Sequence, residues 1–165
     1  MSFHAEMSML LVLHQRTIGC FRASGLVSSL NPQLGSTRMT KKKIYVAVVD
    51  DDDSFARALC RLLRASGFEI RSHASGEAFL AAAHDPWPDC LVLDVQLGGM
   101  SGLELQQRLL DLDNSTPVIF VTAHDAPEIR RKALQAGCVA YLRKPVAKVS
   151  LMEAIAKALH PDGPS

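Results

Sequence analysis

The stretch Cys90-Leu91-Val92-Leu93-Asp94 runs four apolar residues without interruption into one carboxylate. A continuous apolar run this short predicts a strand buried on both faces, as in the middle of a parallel sheet. An aspartate at its end has a rigidly held backbone and a carboxylate at the sheet's carboxyl edge. In open α/β sheets, ligands and chemistry sit at that edge. The other strands decide what joins Asp94 there.

Working outward, Ile44-Tyr45-Val46-Ala47-Val48-Val49 is a second buried run, and it ends in Asp50-Asp51-Asp52-Asp53. Phe55, Leu59, Leu62 and Leu63 follow at helical spacing. Asp53 or Ser54 can cap the start of that helix, and Gly67 its end. Phe68 to Ser72 alternates and predicts a half-exposed strand near an edge. Ser75-Gly76-Glu77 opens a helix through Phe79, Leu80 and Ala83, stopped by Asp85-Pro86-Trp87-Pro88. Beyond Asp94, Gln96 to Met100 is a loop, and Ser101 with Glu104 forms a capping box. Pro117 to Thr122 is another buried strand. Asp125 with Glu128 predicts a second capping box, for a helix through Ile129, Ala133 and Leu134 that Gly137 closes. Val139 to Leu142 is a fifth strand, followed by Arg143-Lys144-Pro145. Ser150 with Glu153 predicts a third capping box, opening a helix through Leu151, Ile155 and Leu159. Strand and helix alternate five times with short loops. That order defines an α/β fold: a doubly wound, five-stranded parallel sheet with right-handed crossovers and helices on both faces.

At 165 residues the chain suffices for one domain and a tail. A formal net charge of +1 offers no basic stripe for nucleic acid. Cys20, Cys60, Cys90 and Cys138 are scattered, with no CxxC and no close Cys/His pair. This pattern argues against a zinc site and suits reduced thiols in a cytoplasmic protein. His73 and His84 lie on peripheral segments and are expected at the surface. Met1 to Thr40 differ in character from the rest, and residues 1–42 are expected to form an N-terminal extension. The apolar stretch Met9 to Leu13 is too short to span a membrane and lacks a preceding basic region, so it makes a poor signal peptide. Met1 to Arg38 is expected to be disordered, or to be upstream translation of a gene starting at Met39. The domain is expected over 43–161, with a tail at 162–165.

Four of the five strands deliver polar groups at their carboxyl ends: Asp50 and Asp51, then Asp94, Thr122 and Lys144. Any one of them alone is as readily a cap or a surface residue. Their joint arrival at one edge points to a site. Carboxylates a few ångströms apart repel by roughly 1 kcal/mol per pair in water and about 4 at a protein surface. A divalent cation resolves that repulsion, and a small set of hard oxygen ligands suits Mg²⁺. A lysine and a hydroxyl opposite would bind phosphoryl oxygens. The edge therefore suits phosphoryl transfer, with Asp94 on the central strand as nucleophile.

With these residues placed, the chain resembles a response-regulator receiver domain, the CheY-like fold, over roughly Lys43 to His160. The resemblance rests on Val49-Asp50-Asp51, on Leu93-Asp94 followed by Met100-Ser101-Gly102, on Val121-Thr122-Ala123, and on Tyr141 to Pro145. It implies a flavodoxin-like strand order 2-1-3-4-5. It implies that Asp94 accepts a phosphoryl group from a sensor histidine kinase or a histidine phosphotransfer protein. Asp51, Asp94 and the Gln96 backbone oxygen would bind Mg²⁺ directly, and Asp50 through water. Thr122 would move to bond the phosphoryl group, Tyr141 would swing inward with it, and Lys144 would pair with a phosphate oxygen. The Lys144–Pro145 bond would be cis. Gln96 and His124 would flank the site at variable positions.

Gly98 and Gly99 depart from the family's usual proline, and that loop is expected to be more flexible. The chain is expected to be a stand-alone receiver, monomeric or weakly dimeric, not an enzyme beyond its own phosphorylation and dephosphorylation. It would signal by binding a downstream protein through its fourth helix, fifth strand and fifth helix. A haloacid-dehalogenase-type phosphatase would need a second aspartate where Gln96 stands. A flavodoxin would need a hydroxyl- and glycine-rich loop where Asp50 to Asp53 stand. A receiver-like module that binds partners without phosphorylation is the third rival.

Overall fold

The computed structural model describes residues 43–82 and 86–160. The expected extension at 1–42, the tail at 162–165, and the placements of Ala83 and His84 lie outside the described residues. The strands are β1 (Tyr45–Val49), β2 (Glu69–His73), β3 (Cys90–Asp94), β4 (Val118–Thr122) and β5 (Ala140–Arg143). The helices are α1 (Asp53–Ala65), α2 (Gly76–Ala81), α3 (Gly102–Asp111), α4 (Pro127–Gln135) and α5 (Lys148–Leu159). All pairings are parallel, in the order β2-β1-β3-β4-β5. The expected doubly wound sheet is the observed one.

Side-chain alternation along the strands divides the core in two. Ala47, Val49, Leu91, Leu93 and Phe120 pack with Phe79 of α2, Leu105 and Leu109 of α3 and Ala133 of α4. Val46, Val48, Cys90, Val92, Ile119 and Val121 pack with Leu59 and Leu63 of α1 and Leu151 and Ile155 of α5. Burial on both faces explains why β1 is apolar throughout, and why β3 and β4 are apolar up to the Asp94 and Thr122 that end them. β2 buries Ile70 alone, as its edge position requires.

The helix starts correct three expectations. Asp52, not Asp53 or Ser54, caps α1: its Oδ1 accepts from Ser54 N at 2.9 Å and Phe55 N at 3.1 Å. Those two amides hold its carboxyl below the ordinary range, the Phe55 bond most strongly. No capping box forms at Asp125 and Glu128, because α4 begins one residue later, at Pro127, with Ala126 as its cap. Proline suits that first position, where its fixed φ is helical and its missing N–H costs nothing. α5 begins at Lys148 behind Ala147, so Ser150 lies inside the first turn and cannot cap it with Glu153. The box at Ser101 and Glu104 is present, with Ser101 N donating to Glu104 Oε2 at 2.8 Å. Gly67 and Gly137 follow α1 and α4 with φ of 96° and 80°, as left-handed caps. His73 is half-buried rather than on the surface. Its ring packs edge-on to Phe79, and its carbonyl accepts from Asp50 N at 3.1 Å.

Cys60, Cys90 and Cys138 are free and buried. Burial, with a smaller push from Asp89, raises the Cys90 thiol from its ordinary 9.0 to about 12. Its folded form thus keeps the proton while the unfolded chain loses it. Stability contributed by Cys90 is complete below the unfolded value and falls as pH rises through the window between the two, by up to about 1.4 kcal/mol per pH unit. Cys90→Ala is expected to flatten the alkaline decline in urea-derived unfolding free energy by about one proton's slope. An unchanged slope would contradict it.

Candidate functional site

The sheet brings the expected polar groups to one edge. Asp50 follows β1, Asp94 ends β3, Thr122 ends β4 and Lys144 follows β5. Asp94 pairs in register with Val121, and Thr122 with Arg143, so neighbouring strands reach the edge together. Asp50 is 3% exposed, Asp94 6% and Thr122 0%. Lys144 Nζ donates to Asp50 Oδ2 and to Asp94 Oδ2, each at 2.7 Å. The other carboxylate oxygens are held by backbone amides: Asp50 Oδ1 by Asp52 N and Asp94 Oδ1 by Gln96 N, both at 3.0 Å. The Lys144–Pro145 bond is cis.

Burial alone would lower the Lys144 pKa, but its hydrogen bonds to Asp50 and Asp94 and their charges outweigh burial and raise it. Asp50 is raised as well, because burial exceeds the help from Lys144 and the Asp52 amide. Both directions follow from one imbalance: a single ammonium serves two buried carboxylates. Asp51 adds a third. Ligand oxygens of Asp50, Asp51 and Asp94 lie within 4.8 Å of one another. Asp51 is exposed, which gives a cation access from solvent. Three hard oxygens against one ammonium fit Mg²⁺, which Asp50, Asp51 and Asp94 would hold.

In metal-free buffer, Asp51→Asn is expected to raise the melting temperature by a few degrees, since it removes roughly 1 kcal/mol of repulsion per pair. The stabilisation that millimolar Mg²⁺ gives the unaltered chain should shrink with it. A lower melting temperature, or an undiminished Mg²⁺ response, would contradict that.

Two expected switch residues are placed unequally. Thr122 Oγ1 accepts from His124 N at 3.2 Å and donates to His124 O at 3.4 Å, so its hydroxyl is engaged with its own loop. Tyr141 is already buried, packed against Phe120 with Arg130 over its ring at 5.7 Å. Burial raises its phenol, and the charge of Asp125 adds to that. Gln96, Ala123 and His124 are exposed around the site.

Two contributors, Glu77 and Phe55, were not expected at the site, and Gly102, expected only within the stretch Met100-Ser101-Gly102, has a steric role. Glu77 Oε1 accepts from Met100 N at 2.8 Å, and Asp51 Oδ2 from Gly98 N at 3.2 Å. The Gly98-Gly99 loop is therefore tethered at both ends. Gly102 lies so close to the Asp94 carbonyl that an added Cβ would meet that oxygen. Phe55 places its ring 4.2 Å from Lys144 Nζ. Only the Gly102 requirement leaves a trace in the sequence, as a glycine directly behind the helix-capping Ser101.

A five-stranded parallel sheet with a carboxylate cluster, a hydroxyl and a lysine at its carboxyl edge defines the receiver class. Residues 46–156 match the response regulator receiver domain family. The chain is 35% identical over 127 residues to the response regulator protein TmoT of Ectopseudomonas mendocina, covering 77% of this chain and 58% of that one. It is 37% identical over 130 residues to nodulation protein W of Bradyrhizobium diazoefficiens, covering 79% and 57%. Among solved structures, a response regulator receiver protein from Burkholderia phymatum is 44% identical with a TM-score of 0.63, covering 74% of this chain and all of that one. The chain belongs to the response regulator receiver family. It spans little more than half the length of the two curated relatives. Among the described residues, no helix is long and apolar enough to cross a membrane.

Proposed function

We propose that Asp94 accepts a phosphoryl group from a histidine kinase or a histidine phosphotransfer protein, and that the chain then signals by phosphorylation-dependent protein binding. The observation that carries this is the sharing of Lys144 between Asp94 and Asp50 at 2.7 Å each, beside Asp51, at the end of the central strand. In the transfer, an Asp94 carboxylate oxygen forms a bond to phosphorus. The phosphorus–nitrogen bond of the donor phosphohistidine breaks, and its electron pair returns to the imidazole, which takes up a proton. Mg²⁺ held by Asp50, Asp51 and Asp94, with the Gln96 backbone oxygen, would neutralise charge on the transferring group. Lys144 releases Asp94 and pairs with a phosphoryl oxygen. Thr122 leaves the His124 backbone and donates its hydroxyl to another.

The chain acts on no substrate beyond its own acyl phosphate. Tyr141, with no hydrogen-bond partner for its buried hydroxyl among the described residues, couples the site to the face of α4, β5 and α5. That face exposes Leu134 and Val149, at 53% and 66%, and serves as the output surface. Phosphorylation shifts this face between two states. We place the protein in the cytoplasm, where reduced thiols such as Cys60, Cys90 and Cys138 persist. The test is incubation with radiolabelled acetyl phosphate. Acid-resistant, base-labile label is expected with Mg²⁺ and none with a chelator. Absence of label in Mg²⁺ would overturn the proposal.

A further inference from the structure

We propose that Phe55 is a positioning residue whose ring face holds the Lys144 ammonium between Asp50 and Asp94. The inference rests on the phosphoacceptor reading for its kinetic consequence and on geometry alone for the contact. Lys144 Nζ lies over the Phe55 ring, 4.2 Å from its centroid, within cation–π range. The Lys144 side chain is 13% exposed, so the ammonium has lost most of its water. Two of its three N–H donors are accounted for by Asp50 and Asp94 at 2.7 Å. An aromatic face is the third favourable neighbour, and it replaces a water that would otherwise draw the lysine outward.

The ring is itself fixed by the site. Asp50 Oδ1 accepts from Asp52 N at 3.0 Å, and Asp52 Oδ1 accepts from Phe55 N at 3.1 Å. Asp52 thereby sets the first turn of α1, and Phe55 packs at the rim of the core shared by α1 and α5. Asp50, Asp52, Phe55 and Lys144 make a closed circuit of contacts. The consecutive aspartates thus divide their work: Asp50 and Asp51 serve the acid cluster, while Asp52 aims the ring.

The test compares Phe55→Leu with Phe55→Tyr in the full chain. Leucine keeps an apolar side chain and removes the π face, whereas tyrosine keeps both. In ¹H–¹³C spectra, assigned with Lys144→Arg, the Lys144 ε-methylene protons are expected upfield of ordinary lysines in the unaltered chain and in Phe55→Tyr. They should return to the ordinary position in Phe55→Leu. With acetyl phosphate and Mg²⁺, Phe55→Leu is expected to be phosphorylated about fivefold more slowly at saturating donor, with the half-saturating donor concentration unchanged. Phe55→Tyr should stay within about twofold of the unaltered chain. Ordinary Lys144 shifts in the unaltered chain, or undiminished labelling of Phe55→Leu, would overturn the proposal. Failure of the unaltered chain itself to label would overturn the phosphoacceptor reading instead, and the Lys144 resonance would still decide the placement of the ring.

Discussion

Gly102→Ala is expected to lower the unfolding free energy by about 3–5 kcal/mol and the melting temperature by more than about 10 °C. A Cβ at this position would collide with the Asp94 carbonyl oxygen and lie 3.0 Å from its carbonyl carbon and 3.1 Å from Leu93 Cγ. None of these neighbours can yield cheaply. Asp94 is in register with Val121 inside the sheet, and Leu93 is fully buried. Gly102 N is also tied to Val95 O at 2.9 Å. The only relief is to lift the start of α3 off β3, which breaks that bond and uncovers Leu105 and Leu109. Alanine is otherwise a favourable residue in a helix, so propensity cannot explain a loss of this size. Thermal and urea unfolding measure it. A shift within about 2 °C would show that the helix start accommodates the methyl group.

Asp94→Asn is expected to reduce labelling by acetyl phosphate more than about 10³-fold while leaving the fold intact. Asparagine keeps the shape of aspartate and an oxygen that can still accept from Gln96 N or Lys144. It lacks the ionised carboxylate that attacks phosphorus. The remaining buried carboxylate, Asp50, would keep Lys144 charged, so the site survives without its nucleophile. Labelling of Asp94→Asn at a rate near that of the unaltered chain would move the acceptor to Asp50 or Asp51.

The fold was legible because the three inner strands bury both faces. Cys90 to Leu93 and Val118 to Val121 carry no polar interruption, so their apolar runs could be read without a period. The acid cluster and Lys144 were legible because a parallel sheet puts every strand's carboxyl end on one side. The chain order alone therefore brought Asp50, Asp94, Thr122 and Lys144 together. Helix starts were less legible. Asp125 and Ser150 satisfy the spacing of a capping box, but Pro127 moves one start later and the turn after Pro145 moves the other earlier. Four successive aspartates could not be told apart by spacing, and the first-turn amides of α1 selected Asp52 as the cap.

Contacts that cross the fold left the faintest signal. Phe55 reads as one more apolar residue on a helix, and nothing local to it announces a lysine 89 positions away at 4.2 Å. Glu77 reads as an acidic residue in a first turn. Its hydrogen bond to Met100 depends on how α2 lies against the loop after β3.

Phosphorylation of Asp94 is tested most directly by treating the unaltered chain with acetyl phosphate and Mg²⁺, reducing it with borohydride, and mapping the peptides by mass spectrometry. Hydride reduction turns an aspartyl phosphate into homoserine, which marks the acceptor permanently. Homoserine is expected at position 94 alone; conversion at position 50 or 51, or at none, would contradict phosphorylation of Asp94.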